Sequence, residues 1–293
     1  MRILVTGCSG YIGSHVVRRL KEDGHFLYGC DIHVHKEYNR VYRYLDVFNA
    51  TDINNPSVIT GQFDAIVHLA GLAVVPHSIK NPLAYYQTNV IGTGNLLNRT
   101  LTDHILFAST SSAWEMASPY ARSKVAAEDV IKSLTNDYTI FRFFNVSGTN
   151  GEYRQLGEAT HLIRVAAEVV AGRRPYLEIY GDDYETRDGT CIRDYVHVMD
   201  LADAIAEAVV RGPARTPYEC IGSNKGYSVL DVVNVMREVT GHKLPIKVSP
   251  RRPGDAVASV VDKLSNLVTL RRTIQDMCLD QVKLEMNKNV PKS

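Results

Sequence analysis

Tyr120 and Lys124 are the residues of this chain whose types and spacing most directly suggest chemistry. They lie four positions apart, and a helix that begins near Pro119 would place them one turn apart on the same face. A protonated lysine stabilises a tyrosine phenolate and lowers the tyrosine pKa from about 10 toward neutrality. The pair therefore predicts that Tyr120 acts as a general base, and the Ser109-Thr110 pair ten residues upstream strengthens that prediction.

A glycine-rich loop near the start of the chain predicts a dinucleotide site. In Thr6-Gly-Cys-Ser-Gly-Tyr-Ile-Gly13, Gly7 would permit a tight turn, Gly10 would let the backbone approach a pyrophosphate, and Gly13 would let helix and strand pack closely. The amides of Tyr11 and Ile12 would open the helix and face the phosphates. An ordinary glycine turn is the alternative, but the predicted strand before the loop and helix after it favour the dinucleotide site.

Two acidic residues further along would complete this site. Asp31 ends the second predicted strand, where a carboxylate accepts hydrogen bonds from the adenosine ribose and favours NAD over NADP. Asp46, expected to follow a third strand, would read the adenine edge together with the amide of Val47, although an aspartate at a strand end is also a common turn residue. Cys8 occupies a loop position from which a side chain can point outward.

The elements that must position these residues alternate between short β-branched runs and amphipathic stretches. This pattern is typical of α/β proteins and predicts a Rossmann-type doubly wound parallel sheet. Strands are predicted over residues 3–6, 25–30, 41–45, 65–69, 105–108 and 139–143, and helices over residues 11–22, 82–101 and from about 119. The pattern changes near residue 147, so we expect a cofactor domain over residues 1–147. A smaller α/β substrate domain over 148–293 would cap the carboxyl edge of the sheet, and part of 187–210 would pack back on the first domain.

Composition narrows the partners. Thirty-three basic and 32 acidic residues give a net charge of +1, so we expect neither nucleic acid nor a membrane as a partner. Five cysteines without a paired CxxC motif are typical of reduced thiols, and we expect a cytoplasmic protein. His33 and His35 could share a strand face, but no third ligand is spaced to complete a metal site, so no metal is expected.

Taken together, the glycine loop, the Ser109-Thr110 pair and Tyr120-x-x-x-Lys124 resemble the extended short-chain dehydrogenase/reductase family. Within that family the sequence is most similar to the UDP-galactose (UDP-glucose) 4-epimerases, over residues 1 to about 262. The similarity rests on six further stretches: His68-Leu-Ala-Gly-Leu72, Ser78-Ile-Lys-Asn-Pro-Leu-Ala-Tyr-Tyr86, Asn89-Val-Ile-Gly-Thr93, Arg142-Phe-Phe-Asn-Val-Ser-Gly148, Asp188-Gly-Thr-Cys-Ile-Arg-Asp-Tyr-Val-His197 and Arg251-Arg-Pro-Gly-Asp255.

The resemblance implies a role for each matching residue. Thr110 would bond the sugar 4-hydroxyl beside Tyr120, and Lys124 would hold the nicotinamide ribose. The resemblance also implies that NAD is a resident cofactor, that the substrate is a UDP-sugar and that the protein is a homodimer. Further cofactor contacts would come from Leu69, Ala70, Gly71, Asn89 and Ser109, and the nucleotide-sugar would be held by Asn145, Leu162, Tyr180, Arg193, Arg252 and Asp255.

Two arginines suit a diphosphate, because a guanidinium group bonds phosphate oxygens in pairs. Other interpretations remain open for both. Arg193 could form a structural ion pair with Asp194 or Asp200, and Arg252 could be a solvated surface residue. The similarity also implies that Ser259 stands where side-chain size limits the group at C2 of the sugar, so N-acetylhexosamines could fit.

The sequence departs from the epimerases between Thr110 and Tyr120, where only nine residues intervene and the family has a longer loop. The site could therefore be more open or differently specific. A nucleotide-sugar 4,6-dehydratase or decarboxylase is an alternative function. The dehydratases follow the active-site threonine with an Asp-Glu pair, and here Ser111 and Ser112 stand instead. A non-catalytic NAD-binding sensor is the third interpretation.

Overall fold

The computed structural model describes residues 1–32, 39–54, 59–153, 158–252 and 254–287. The chain divides into two units, each built from two stretches of sequence. The first unit comprises Met1–Phe143 with Ala202–Cys220, and the second comprises Phe144–Leu201 with Ile221–Ser293.

A seven-stranded sheet forms the centre of the first unit, and its strand order is β12-β8-β7-β5-β1-β2-β3. Every neighbouring pair from β8 to β3 is parallel. This arrangement confirms the predicted Rossmann-type sheet. Its strands are β1 Arg2–Thr6, β2 Phe26–Asp31, β3 Val47–Ala50, β5 Ala65–His68, β7 Ile105–Thr110, β8 Tyr138–Phe143 and β12 Glu219–Ile221, and β4 Gly61–Phe63 pairs with β6 Thr100–Thr102 outside the main sheet.

The chain changes direction across the sheet between β1 and β5. From β1 it winds outward to β2 and β3, and from β5 it winds the other way to β7 and β8. At such a switch point the loops after the two central strands separate and leave a crevice at the carboxyl edge of the sheet. The segments that follow Thr6 and His68 lie at this point, as the glycine pattern predicts.

Helices connect the strands of the first unit: α1 Tyr11–Glu22, α2 Asn39–Tyr42, α3 Val75–Lys80, α4 Pro82–Tyr86, α5 Gly92–Arg99, α6 Pro119–Leu134 and α8 Val198–Arg211, the last beginning in the second unit. The single helix predicted over 82–101 is interrupted by a π-helical segment, Gln87–Ile91, and ends at Arg99. The wide turn closes with a bond from the Gly92 amide to the Gln87 carbonyl five residues back.

Residues 41–45 do not form the predicted third strand. Val41 lies in α2, and the amides of Tyr44 and Leu45 bond back to the carbonyls of Val41 and Tyr42. Val41 is fully buried, and the Leu45 side chain packs against the backbone of Gly29. Their i, i+4 spacing suits a helical turn as well as a strand, and packing against β2 selects the turn.

Helix α6 carries the Tyr120 and Lys124 pair, and its ends follow from the sequence. Ser118 is the N-cap, its hydroxyl accepts the Ala121 amide at 3.1 Å, and Pro119 occupies the first helical position. Ala127 and Ile131 on its inner face are fully buried against Ile105, Phe107 and Ile140 of the sheet. This apolar contact fixes the rotation of the helix, and with it the direction of Tyr120 and Lys124.

The second unit is a smaller α/β assembly. Strand β11 is flanked by antiparallel β13 and by parallel β9 and β15, and β10 pairs with β14 in a separate two-stranded sheet. Its elements are β9 Asn145–Ser147, α7 Leu162–Val170, β10 Leu177–Tyr180, β11 Ile192–His197, β13 Gly226–Ser228, α9 Val229–Thr240, β14 Ile246–Ser249, β15 Ala258–Ser259 and α10 Ile274–Met286. Among the described residues, no helix is both long and apolar enough to span a membrane.

Candidate functional site

The glycine loop after β1 is tightly closed on itself. Gly7 has a φ of +67°, and a side chain there would approach the Ala70 amide nitrogen to 2.8 Å. A side chain on Gly13 would collide with the Gly7 carbonyl oxygen. Gly10 is the N-cap of α1 and has no side chain to fill the space in front of the first-turn amides. These glycines therefore create the close backbone approach that a pyrophosphate requires.

Asp31 lies beside this loop at the end of β2. Its carboxylate accepts a hydrogen bond from the Ser9 amide at 3.0 Å, so the acid and the glycine loop are held together. Cys8 is fully buried rather than pointing outward, so that expectation is wrong. Its sulfur packs against the backbone of Gly29 on β2, and burial raises the pKa of the Cys8 thiol to about 12.

Asp46 is not at the adenine end of the sheet, and this prediction is wrong. It precedes β3 instead of following it, because residues 41–45 form a helical turn. Its carboxylate accepts a hydrogen bond from the Leu27 amide at 2.7 Å, near the amino end of β2, and forms an ion pair with Lys21 at 2.8 Å. These bonds lower the pKa of Asp46, and the bond with Lys21 has the largest effect. Val47 begins β3 at the same amino edge, so Val47, like Asp46, lies away from the cofactor end of the sheet.

A different aspartate stands at the carboxyl edge of β3. Asp52 follows the strand and, with Ile32, Ala50 and Thr51, lines an open cavity of about 290 Å³. The Thr51 amide bonds the Asp31 carbonyl at 3.0 Å, so the two strand ends lie side by side. Sequence reasoning missed Asp52. Asp52 could have been found from its position just after the short run of residues 47–50. The assignment of residues 41–45 as the third strand hid that position.

Thr110, Tyr120 and Lys124 meet at the carboxyl edge of β7. The side chains of Thr110 and Tyr120 are hydrogen-bonded, and the Lys124 ammonium lies 4.2 Å from the ring centre of Phe107. Lys124 is only 5% exposed, and its Nζ would lie 3.6 Å from a side chain added to Gly71. The predicted catalytic residues are thus brought together beside the turn that follows β5.

The electrostatics of this group differ from the expectation. Burial raises the pKa of Tyr120, the hydrogen bond from Thr110 lowers it in part, and the neighbouring Tyr85 adds to the rise. Burial also lowers the pKa of Lys124 to about 7, although the charge of Glu128 opposes this. The expectation that Lys124 lowers the Tyr120 pKa toward neutrality is therefore wrong for the protein groups alone, because desolvation exceeds the attraction.

A buried ion pair supports the base of the site. Ser109 donates to Glu128 at 2.5 Å, and Arg142 on β8 bonds both carboxylate oxygens of Glu128, at 3.1 and 2.8 Å. Ser109 and Glu128 are 3% and 1% exposed. The Ser109 hydroxyl is therefore engaged with the protein, and it anchors the end of β7 to the underside of α6.

The short segment between Thr110 and Tyr120 is partly exposed, at residues 114–117, but is held by several contacts. It begins with a 3₁₀ turn, Ser111–Ala113, in which Thr110 accepts the Ser112 amide at 3.2 Å. Trp114 then lies against Arg142, and Met116 adopts a left-handed conformation with a φ of 49°. The nine residues between Thr110 and Tyr120 thus form a left-handed turn that is held by contacts with the rest of the unit.

The turn after β5 is fixed by Asn89 from the π-helical segment. Asn89 is 1% exposed, and its Oδ1 accepts the Leu72 amide at 2.9 Å. Its Nδ2 donates to the Leu72 carbonyl and to Ser123, whose hydroxyl bonds the carbonyl of Tyr120 at 2.8 Å. The side-chain amide thus organises the turn of Leu69, Ala70 and Gly71.

The second unit brings together most of the residues predicted to hold a nucleotide-sugar. Asp255 lies between Arg193 and Arg252, with nitrogen–oxygen distances of 4.0 and 3.9 Å. The guanidinium of Arg252 stacks 3.8 Å from the ring centre of Tyr180. Arg193 therefore pairs with Asp255 rather than with Asp194, and Arg252 stacks on an aromatic ring although its side chain remains exposed to solvent.

The remaining predicted residues of the second unit are less closely grouped. Ser259 pairs with Arg193 across β15 and β11, which places it beside the arginine cluster. Asn145 bonds the Asp194 carbonyl at 3.1 Å through Nδ2. Leu162 begins α7 and packs against the apolar core of the unit.

No group of metal-binding side chains occurs in the part of the chain that the structure describes. His33 and His35 lie outside the described residues. His197, at the end of the similar stretch and of β11, is fully buried, accepts the Met199 amide at 3.1 Å and contacts Asp280 at 3.3 Å. Its partners are those of a core histidine.

Comparison with known proteins adds a family match and close relatives. The family model described as "NAD dependent epimerase/dehydratase family" matches residues 3–220. A UDP-glucose 4-epimerase of Halalkalibacterium halodurans is 35% identical over 89% of this chain and 86% of its own length.

Two solved structures are similar over almost the whole chain. One is a UDP-glucose 4-epimerase of Stenotrophomonas maltophila with bound NAD and formylated UDP-arabinopyranose. It has a TM-score of 0.85 and 29% identity over 97% of this chain and 98% of its own. The other is a UDP-Glc/GlcNAc 4-epimerase of Campylobacter jejuni, with a TM-score of 0.75 and 29% identity over the same shares.

Proposed function

Because the chain belongs to the NAD dependent epimerase/dehydratase family, we propose that it interconverts UDP-glucose and UDP-galactose by NAD-dependent epimerisation at C4. One observation carries the proposal. The Thr110 and Tyr120 side chains are hydrogen-bonded beside the buried Lys124 ammonium, at the carboxyl edge of a parallel sheet and next to the turn that contains Gly71.

The residues of the first unit fit NAD. Gly7 and Gly13 let the loop close tightly against Ala70 and on itself, and Gly10 leaves the amides at the start of α1 uncovered for a phosphate. Asp31 would bond the adenosine ribose, and the cavity beside Asp52 would receive the adenine. Further contacts would come from the remaining predicted cofactor residues, Tyr11, Ile12, Leu69, Ala70, Gly71, Asn89 and Ser109. When bound, NAD supplies the reversible hydride acceptor for C4 of the sugar.

The protein groups supply positioning and proton transfer. Thr110 orients the 4-hydroxyl of the sugar through its own hydroxyl, and Tyr120 takes the 4-hydroxyl proton as the 4-keto sugar forms. Tyr120 then returns the proton after the keto sugar has turned to present its other face. Lys124 holds the nicotinamide ribose beside Tyr120.

The arginine cluster of the second unit suits the diphosphate of a UDP-sugar. Arg193 and Arg252 present two guanidinium groups on either side of Asp255, which holds them in place before the ligand arrives. Tyr180 offers an aromatic ring for the uracil, and Asn145 and Leu162 complete the proposed nucleotide-sugar contacts. Ser259, next to Arg193, leaves room at C2, so we include N-acetylhexosamines among the substrates.

The dehydratase and decarboxylase alternatives find less support in the site. After Thr110, where an elimination needs acidic groups, the chain places Ser111 and Ser112 in a 3₁₀ turn. The charged Glu128 is committed to Arg142 beneath the site. A sensor without activity is also less favoured, because both Tyr120 and Lys124 are present and adjacent.

We also propose that the protein is a cytoplasmic homodimer. Five large apolar side chains along α3, α4 and the π-helical segment are exposed, Val75 and the four named next, which is typical of an interaction surface. We call Ile79, Leu83, Tyr86 and Ile91 the helical apolar patch; the exposed fractions are 59, 78, 37 and 57%. The cytoplasmic location is supported by the five cysteines, all of them free thiols.

The test is to incubate the purified protein with UDP-galactose without added NAD and to follow the nucleotide-sugars by NMR spectroscopy. We expect UDP-glucose to appear with no net formation of NADH. A 4-keto-6-deoxy product would instead identify a dehydratase. Bound NAD without any turnover would identify a sensor, and either outcome would overturn the proposal.

A further inference from the structure

A buried histidine of the first unit joins two backbone turns and a helix by an unbroken line of hydrogen bonds. The Ala70 amide donates to Thr6 Oγ1 at 3.1 Å, and Thr6 Oγ1 lies 2.7 Å from His68 Nδ1. On the other side of the ring, His68 Nε2 lies 2.8 Å from Thr93 Oγ1, which donates to the Asn89 carbonyl at 2.6 Å. We call this line the His68 relay.

The partners at its two ends fix the direction of every bond. The Asn89 carbonyl can only accept, so Thr93 must donate its hydroxyl hydrogen to that carbonyl. Its oxygen therefore accepts a hydrogen bond from His68 Nε2. The Ala70 amide can only donate, which leaves His68 Nδ1 as the one acceptor for the Thr6 hydroxyl hydrogen among the described residues, and a hydrogen on Nδ1 would leave that buried hydroxyl hydrogen unpaired. Only the neutral imidazole with its hydrogen on Nε2 satisfies this arrangement.

The surroundings favour the same form of the ring. His68, Thr6 and Thr93 are fully buried, and the His68 ring lies 5.5 Å from the ring of Phe107. Burial lowers the pKa of His68 to about 3, and the positive charge of Lys124 adds to this effect. Because an unpaired polar group in such a place is costly, the two threonines depend on the imidazole as much as it depends on them.

The relay ends at segments that bear on the proposed site. Thr6 immediately precedes Gly7, and Ala70 immediately precedes Gly71. Asn89 lies in the π-helical segment, where a threonine hydroxyl bonded to the carbonyl four residues back competes with the regular helical bond. From that turn the Asn89 side chain reaches Leu72 and Ser123.

We propose that His68 is a positioning residue that holds the glycine turn, the 69–71 turn and the π-helical segment in register for NAD. The inference rests on the proposed function for the identity of the cofactor. The imidazole does not touch the reacting atoms. His68 itself lies on β5. One ring nitrogen is hydrogen-bonded to β1 and the other to the helical stretch that carries Asn89, so the imidazole sets the distances between these three elements.

The experiment compares His68→Phe and His68→Gln with a matched control, His104→Phe. His104 is a second buried imidazole in the same unit, bonded to Thr139 at 2.8 Å, and burial lowers the pKa of His104 to about 4. It lies in the turn before β7, at the opposite edge of the sheet from the relay. Phenylalanine keeps the ring and removes the hydrogen bonds, whereas glutamine offers one acceptor and one donor in place of the two ring nitrogens.

Isothermal titration of NAD into each purified protein, after its bound NAD has been removed, is the first measurement. We expect His68→Phe to raise the Kd for NAD about tenfold or more, His68→Gln to stay within about threefold of the wild type, and His104→Phe to bind normally. Equal thermal destabilisation of His68→Phe and His104→Phe would accompany this difference. Normal NAD binding by His68→Phe, or an equal loss in His104→Phe, would overturn the proposal.

Thr93→Val and Thr93→Ser keep the proposal testable if His68→Phe does not fold. The valine variant removes one hydroxyl and should weaken NAD binding about threefold to tenfold, whereas serine keeps the hydroxyl and should bind normally. Nitrogen NMR of the histidines should assign the neutral form with hydrogen on Nε2 to His68 at pH 7, and a charged ring would contradict the relay. Failure of epimerisation in the wild type would refute the proposed function but leave these readouts intact.

Discussion

The guanidinium carbon of Arg142 lies 4.9 Å from the ring centre of Trp114 and 4.1 Å from that of Tyr218. The two rings meet edge to face at 5.6 Å, and the charge of Arg142 is paired with Glu128 at 2.8 Å. The short segment after Thr110 is therefore held by a cation–π contact that starts from a buried ion pair. Trp114 is the only tryptophan of the chain.

Removal of this contact should loosen the segment that leads to Tyr120. We expect Trp114→Ala to lower kcat for UDP-galactose about tenfold, because small displacements of catalytic groups reduce rates strongly. Trp114→Phe keeps an aromatic face for Arg142 and should retain most of the activity. Steady-state kinetics of both variants, with Glu115→Ala as a neighbouring surface control, provide the measurement. Wild-type kcat in Trp114→Ala would show that the contact is irrelevant to catalysis.

Tyr120→Phe should abolish turnover and leave NAD bound. Loss of a general base lowers rates by roughly 10²–10⁴-fold, and the phenyl ring keeps the packing of the site. Tyr85→Phe is the matched control, because the Tyr85 ring lies 6.4 Å from that of Tyr120 and its hydroxyl bonds only a backbone carbonyl, that of Val74, among the described residues. Turnover numbers and the NAD content of each protein decide the matter. Substantial activity in Tyr120→Phe would exclude the proposed base.

Lys124 should reduce stability at low and neutral pH. Its pKa falls from 10.5 in the unfolded chain to about 7 in the fold, so its cost to stability grows as the pH falls from about 10.5 to about 7 and is fully present below 7. Lys124→Met should therefore raise the free energy of unfolding by about 1–3 kcal/mol at pH 6 and by progressively less toward pH 10, while activity is lost. Urea unfolding at several pH values measures this.

Lys132→Met is the control for this pH dependence. Lys132 lies two turns further along α6, is one-third exposed and contacts the same Glu128 at 3.7 Å. It should show no gain at pH 6, because its ammonium remains in contact with water. Equal pH profiles for the two variants, or a destabilised Lys124→Met at pH 6, would contradict the burial argument.

The sequence predicts the parallel sheet and the catalytic pair because both depend on local patterns. Helix α1 has the bounds that its apolar spacing predicts, Tyr11–Glu22, and the Ser118-Pro119 start fixes α6. The clustering of Arg193, Arg252 and Asp255 came from resemblance to a family, since no spacing rule joins residues 60 positions apart. Which side chains these three residues contact could be determined only from the structure.

The errors have a common physical origin in packing between distant elements. Val41 and Leu45 fit either a strand or a helical turn, and only contact with β2 decides between them. That choice moved Asp46 to the amino edge of the sheet and left Asp52 unnoticed. The sign of the Tyr120 pKa shift likewise depends on burial, which a four-residue spacing does not contain. The His68 relay also joins residues from five separate elements or turns.

Ser259 should permit a large group at C2 of the sugar. It lies beside Arg193 in the second unit, where its small side chain leaves space. We expect turnover of UDP-GlcNAc by the wild type, and a loss of at least about 10²-fold in kcat/KM for this substrate in Ser259→Tyr through steric exclusion. UDP-glucose serves as the internal control and should change by no more than about threefold. No detectable turnover of UDP-GlcNAc by the wild type would remove the hypothesis.

The helical apolar patch should hold two copies of the chain together. A charge in the centre of an apolar interface is strongly unfavourable, so Leu83→Glu should convert a homodimer into a monomer. Leu101→Glu is the control, because Leu101 is 70% exposed, nearly as much as Leu83, but lies on β6 outside the patch. Sedimentation velocity of the three proteins at equal concentration distinguishes the states. A monomeric wild type would refute the homodimer, and a dimeric Leu83→Glu would place its interface elsewhere on the surface.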